Sequence, residues 1–199
     1  MQIILKPEVI FEVGVGDFPV CRSKDYWKYG IECYLFEPNK IYYDELCKVS
    51  KEYKNVKLFD CAITEDNKKY DFWSCGETSF LNGINAPVIK KERFLLKNIK
   101  QIQVEGKKIS EFDKGNIDFL FLDTEGAEWF CLKHLISRPK IVVIETHGEN
   151  YINPYIHQIN AWILKNQYSI MATNDSDSFF IRNDYLGCLF LDSKLNLLY

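Results

Sequence analysis

Five short apolar runs rich in branched and aromatic residues punctuate the first three quarters of the chain: Val9–Val13, Cys33–Phe36, Val56–Phe59, Ile117–Leu122 and Ile141–Ile144. Several lack a polar face, the pattern of parallel strands covered by helices on both sides. Helical spacing lies between them. Tyr42, Leu46, Val49 and Tyr53 step by 4, 3 and 4 and would share one helix face. Trp129, Leu132 and Leu135 do the same before Pro139, and Ile156, Ile159 and Ile163 follow Pro154. The alternation predicts an α/β domain on a mostly parallel sheet. Beyond residue 168 the rhythm changes. Tyr168–Thr173, Ser178–Arg182 and Gly187–Asp192 read as strands whose connections are too short for a crossover, so part of the sheet is antiparallel. Residues 63–108 also break the pattern, with a polar, turn-rich stretch and a basic helical segment. No repeat or Gly/Ser linker interrupts the chain, so residues 1–199 read as one domain with 63–108 as an insertion-like substrate region.

Composition narrows the function classes. A formal charge of -3 excludes a generally basic nucleic-acid-binding surface. No apolar run approaches the ~20 residues that span a bilayer. The apolar start at Met1–Leu5 is too short for an export signal, and seven cysteines without a C-x-x-C pair fit reduced, buried thiols, so the expected location is the cytoplasm. Aromatic residues reach 15%, an excess that predicts an acceptor pocket or a homodimer interface.

In such sheets ligands bind beyond the carboxyl ends of the strands. After the first run comes Glu12-Val13-Gly14-Val15-Gly16-Asp17, where two glycines allow a sharp turn and close approach of a ligand to the backbone. Pro19 stands where a dinucleotide fingerprint has its third glycine, which lowers the NAD reading. After the second run, Glu37-Pro38 offers a carboxylate 21 residues beyond Gly16, suited to a ribose diol. After the third, Asp60-Cys61-Ala62 offers an acceptor for an adenine amino group and room for its ring.

After the fourth run, Asp123-Thr124-Glu125-Gly126-Ala127-Glu128 is the densest acidic cluster in the chain, and like charges so close need a cation, donors or solvent. One of Glu125 and Glu128 is read as a cap for the following helix. After the fifth comes Glu145-Thr146-His147, and His147 is placed as a general base. Asp123, Glu145 and His147 would also suit a hard divalent cation.

These segments in this order resemble the FkbM-type S-adenosylmethionine-dependent methyltransferases. The resemblance is carried by Ile10–Gly16, Phe36–Asn39, Val56–Ala62, Ile109–Phe112 and above all Ile117–Glu128 with Leu132 and Ile141–Glu145 beyond it. Phe18 departs from it, standing where such enzymes usually keep another glycine. The resemblance implies a seven-stranded, Rossmann-like class I methyltransferase fold, mostly parallel with an antiparallel C-terminal strand. It implies O-methylation of a sugar, nucleotide-sugar or other hydroxylated acceptor. By carry-over, Glu12, Gly14, Gly16 and Asp17 would line the methionine part of S-adenosylmethionine, Glu37 and Pro38 the ribose, and Asp60, Cys61 and Ala62 the adenine. Asp123 would sit near the reacting centre with Glu125, and His147 would take the proton. A metal-assisted variant gives Asp123, Glu145 and His147 to a Mg²⁺ ion. Seven Lys or Arg residues against two Glu within 90–108 suggest a landing site for a phosphate-bearing acceptor. Two other classes stay open: an NAD(P)-dependent oxidoreductase, and a nucleoside-binding module without turnover.

Overall fold

The computed structural model describes residues 5–74, 79–84, 100–149 and 151–189. Seven strands form one sheet: β1 (Val9–Val13), β2 (Glu32–Phe36), β3 (Val56–Phe59), β8 (Phe119–Leu122), β9 (Ile141–Glu145), β12 (Tyr168–Thr173) and β13 (Asp177–Arg182). Their order across the sheet is β12-β13-β9-β8-β1-β2-β3. The five strands from β9 to β3 are mutually parallel, whereas β13 is antiparallel to both of its neighbours.

Every residue of β1, β8 and β9 is buried, as strands covered on both faces must be. Alternation sends Phe11, Val13, Leu120, Leu122, Val142 and Ile144 to one side. There they meet Leu132 of α3 (Glu128–His134) and Ile159 and Ile163 of α4 (Ile156–Lys165). Ile10, Leu35, Phe119, Phe121 and Val143 go to the other side, against Trp27 of α1 (Lys24–Trp27) and Leu46 of α2 (Lys40–Val49). Asn39 caps α2, its side chain accepting from the Ile41 N–H at 3.2 Å. Tyr53, expected on the same helix, lies beyond its end.

A second, four-stranded sheet stands over the β3 end, in the order β4-β7-β5-β6: β4 (Ala62–Ile63), β5 (Lys69–Ser74), β6 (Phe80–Leu81) and β7 (Lys100–Lys107). It buries Phe72, Leu81 and Val104 with Ala62 and Ala127. A short hairpin joins β10 (His147–Gly148) to β11 (Tyr151–Ile152).

Two expected elements differ. Residues 100–107, expected within a basic helix, form β7. Ile102, Val104 and Gly106 turn inward at period two, and the charged residues that suggested a helix occupy the exposed positions between and beside them. Residues 187–189, expected at the start of a strand, lie instead in a helical turn, Leu186–Leu189. The rest of the basic 90–108 segment lies outside the described residues, as do Thr78 and Asn85 of the polar stretch before it.

Candidate active site

The strand order turns back at β1, with β2 and β3 on one side and β8 and β9 on the other, and crevices form at the carboxyl ends of strands at such a switch point. A cavity of about 360 Å³ lies there. Val13–Gly16 form its floor, Phe36–Pro38 and Cys61–Ala62 one wall, Asp123–Glu125 the other. Ile63, Phe72, Ser79 and Leu81 of the small sheet and its approach complete the lining, so the 63–108 segment contributes to the cavity wall.

The floor is set by backbone packing. Gly14 donates to the Phe36 carbonyl at 3.0 Å, and Asp123 donates to the Val13 carbonyl at 3.0 Å. Gly14 sits at φ +77, and a Cβ there would stand 1.7 Å from the Asp123 carbonyl oxygen. No side chain fits. Gly16, at φ +67, has only Val20 Cγ2 near its missing Cβ, so its backbone is open to the cavity. The Gly16 N–H donates to Glu37 Oε2 at 2.8 Å, and the Asn39 N–H donates to Oε1 at 2.7 Å. These two bonds fix the carboxyl plane at the end of β2. Burial pushes the Glu37 carboxyl up to about 7, against the lowering effect of those N–H groups.

Glu12 turns away from the cavity. Its carboxylate accepts from the Arg22 N–H at 2.7 Å and the Ser23 N–H at 2.9 Å, with the Cys21 thiol at 3.4 Å. It thereby anchors the loop that aims Arg22 back over the site. The Arg22 guanidinium donates twice to Asp177, at 2.8 and 3.1 Å, and once to Asp123 Oδ2 at 3.0 Å. Asp177, its side chain 3% exposed, takes one more bond from Asn174 Nδ2. Arg22 therefore ties β13 to the end of β8 and lines the cavity itself.

Behind Asp123 the acidic cluster divides. Glu128 is fully satisfied at the start of α3: Oε1 accepts from the Thr124 N–H, the Thr124 hydroxyl and the Gly126 N–H, and Oε2 from Asn153 Nδ2. Glu125 lies in the left-handed region at φ 55, an unusual conformation for a side-chain-bearing residue. Its Oε2 is buried without a hydrogen bond, and so are Glu145 Oε2 and the Tyr151 hydroxyl. One carboxylate oxygen each from Asp123, Glu125 and Glu145 lie within 4.8 Å of one another. Burial, then the neighbouring carboxylates, push Glu125 up to about 8 and Glu145 up to about 10.

The structure thus gathers Gly14, Gly16, Glu37, Pro38, Cys61, Ala62, Asp123 and Glu125 around one cavity. Five expected residues do not line it, Glu145 among them, which lies behind Asp123 and Glu125. Glu12 serves the Arg22 loop. Asp17 accepts from the Val20 N–H in the turn that follows. Asp60 is exposed and pairs with Lys40 at 3.4 Å. His147, expected as the general base, stands outside the lining as well. Its Nε2 meets the Asn174 carbonyl at 2.9 Å, which only accepts, so Nε2 carries the hydrogen. The remaining lone pair, on Nδ1, faces the Thr146 hydroxyl at 2.8 Å. Both nitrogens are engaged, and the acidic triad completes itself with Glu125 where His147 was expected. Arg22 and Asp177 were missed: they lie 155 positions apart, and neither carries a local motif. Among the described residues Cys21, Cys33, Cys61 and Cys131 are buried free thiols, as expected. No helix among them is long and apolar enough to cross a membrane.

A model of the methyltransferase FkbM domain matches residues 12–170. No curated protein matches the chain. Among solved structures, the chain is similar to a protein assigned as an RNA methyltransferase from Pyrococcus horikoshii, at 12% identity and a TM-score of 0.48, covering 89% of this chain and 76% of that one. It is similar to a methyltransferase from Geobacter sulfurreducens at 11% identity and a TM-score of 0.46, covering 89% and 72%. It is also similar to monomeric WbdD at 10% identity and a TM-score of 0.48, covering 89% and 37%.

Proposed function

This chain belongs to the FkbM methyltransferase domain family, and from that premise we propose that it is a single-domain S-adenosylmethionine-dependent O-methyltransferase acting on a small hydroxylated acceptor of the sugar, nucleotide-sugar or natural-product class. The observation that carries the cofactor reading is Glu37. A buried carboxylate held in plane by the Gly16 and Asn39 N–H groups at the end of β2 keeps lone pairs for a vicinal diol. The open Gly16 backbone and the flat apolar wall of Cys61, Ala62, Phe72 and Leu81 fit a nucleoside beside it. When bound, the cofactor supplies a methyl group on a sulfonium leaving group.

The chain's own residues then align, exclude water and handle a proton. The apolar wall of Ile63, Phe72 and Leu81 keeps bulk water off the transfer line. Of the residues around the cavity, Asp123 and Glu125 face it from the end opposite Glu37 and receive the acceptor hydroxyl. In-line transfer would need the acceptor oxygen held about 3–3.5 Å from the methyl carbon, and Asp123 and Glu125 would be the groups that hold it. Arg22 is a positioning residue, since it fixes Asp123 through Oδ2.

The test is methyl transfer from isotope-labelled S-adenosylmethionine into pooled nucleotide sugars, glycans and polyols, with the product checked for an alkali-stable ether. Label in an ether supports the reading. The Glu125→Gln variant should lose turnover while His147→Ala retains it. Saturable cofactor binding with no labelled product from any acceptor class would instead mark a binding module.

A further inference from the structure

We infer that Asp123, Glu125 and Glu145 form a binding site for one hard divalent cation, Asp123 and Glu125 standing on the cavity wall and Glu145 behind them. Binding of the ion does not depend on the methyl-transfer reading. One oxygen from each residue lies within 4.8 Å of the others. Two oxygens on opposite sides of such an ion stand at most about 4–5 Å apart, twice a metal–oxygen distance of about 2.0–2.6 Å.

The charge count points the same way. Arg22, the guanidinium beside Asp123, gives two of its three bonds to Asp177 and the third to one oxygen of Asp123. Glu128 has donors for both of its oxygens, from Thr124, Gly126 and Asn153. Among the described residues, Glu125 Oε2 and Glu145 Oε2 have no such partner. Glu145 is 9% exposed, and its Oε2, like Glu125 Oε2, has no hydrogen bond although it is removed from solvent. An unpaired buried carboxylate is costly, and buried charges are ordinarily paired or metal-bound. Tyr151 adds an independent sign. Its residue is 5% exposed, and its hydroxyl is buried without a hydrogen bond. A neutral polar group left unsatisfied beside unsatisfied carboxylates fits a cluster that a ligand completes.

The donor set selects the class of ion. Three carboxylates with no nitrogen or sulfur ligand favour Mg²⁺, Ca²⁺ or Mn²⁺ over zinc or copper. The expected metal set of Asp123, Glu145 and His147 is replaced, because the imidazole is engaged elsewhere. Three protein oxygens leave further coordination positions for water.

The experiment is a titration of MnCl₂ into the purified full chain, without cofactor or acceptor, followed by the electron paramagnetic resonance signal of free Mn²⁺. The expected result is loss of free signal equivalent to one ion per chain, restored by excess Mg²⁺ or Ca²⁺. Glu145→Gln and Glu125→Gln should each weaken binding about tenfold or more. Glutamine keeps the shape and removes like-charge repulsion, so both variants should fold, as circular dichroism would report. A free-ion signal unchanged up to millimolar protein, or equal binding by wild type and both variants, overturns the site. Neither outcome bears on cofactor binding, which is measured separately.

Discussion

Replacing Arg22 by methionine removes the cation that joins β13 to the end of β8 while keeping much of the side chain's apolar length. Asp177 then loses two hydrogen bonds, at 2.8 and 3.1 Å, and keeps only the Asn174 amide, with its own side chain 3% exposed. Removing one partner of a buried ion pair costs about 3–5 kcal/mol, chiefly from the charge left behind. The Arg22 side chain is 28% exposed, so water reaches the pair and the lower end of that range applies, about 3 kcal/mol. For a chain of 199 residues each kcal/mol moves the melting temperature by about 2–4 °C, which gives a fall of about 6–12 °C by scanning calorimetry. Adding Asp177→Asn removes the stranded charge, and the double variant should recover to within about 4 °C of wild type. If Arg22→Met alone melts within about 2 °C of wild type, the network is a surface contact and the reasoning fails.

Gly14→Ala would force a Cβ to 1.7 Å from the Asp123 carbonyl oxygen at a positive φ, so the variant should lose more than about 4 kcal/mol and accumulate as insoluble protein. Recovery of a soluble variant melting near wild type would show that the β1–β8 loops are not packed as described. Glu37 carries its proton to about 7 in the folded chain against 4.5 in the reference state. The folded state therefore binds more protons than the unfolded one between those values. Stability is fully present below about 4.5 and falls as pH rises toward 7, and Glu37→Gln should flatten that part of a melting-temperature profile. An unchanged slope in the variant would assign the dependence to other groups.

The central strands were legible because burial on both faces leaves no polar positions in Phe119–Leu122 or Ile141–Ile144. Their ends followed, since a chain that leaves such a strand must turn, and Gly14, Glu37 and Asp123 stand at those turns. Identity of residue type did not give direction. Glu12 is as acidic as Glu37, yet one serves a loop and the other faces the cavity, a difference set by which N–H groups each meets. His147 is a similar case: its position at a strand end was readable, but the Asn174 carbonyl that meets its Nε2 comes from a turn 27 positions away. Arg22 and Asp177 are a long-range pair that only the folded sheet brings together. In β7, the charges of Lys100, Glu105 and Lys107 obscured a period-two pattern through Ile102, Val104 and Gly106.

Calorimetric titration of S-adenosylmethionine into the full chain tests the proposed cavity most directly. The account predicts saturable binding at one site per chain. It also predicts that Glu37→Ala, which removes one charge-assisted acceptor worth about 1.5–3 kcal/mol, weakens binding about 10- to 150-fold. NAD should give no saturable heat. Wild-type protein that shows no saturable binding of S-adenosylmethionine up to millimolar concentration, or a folded Glu37→Ala variant that binds it as tightly as wild type, would contradict the account.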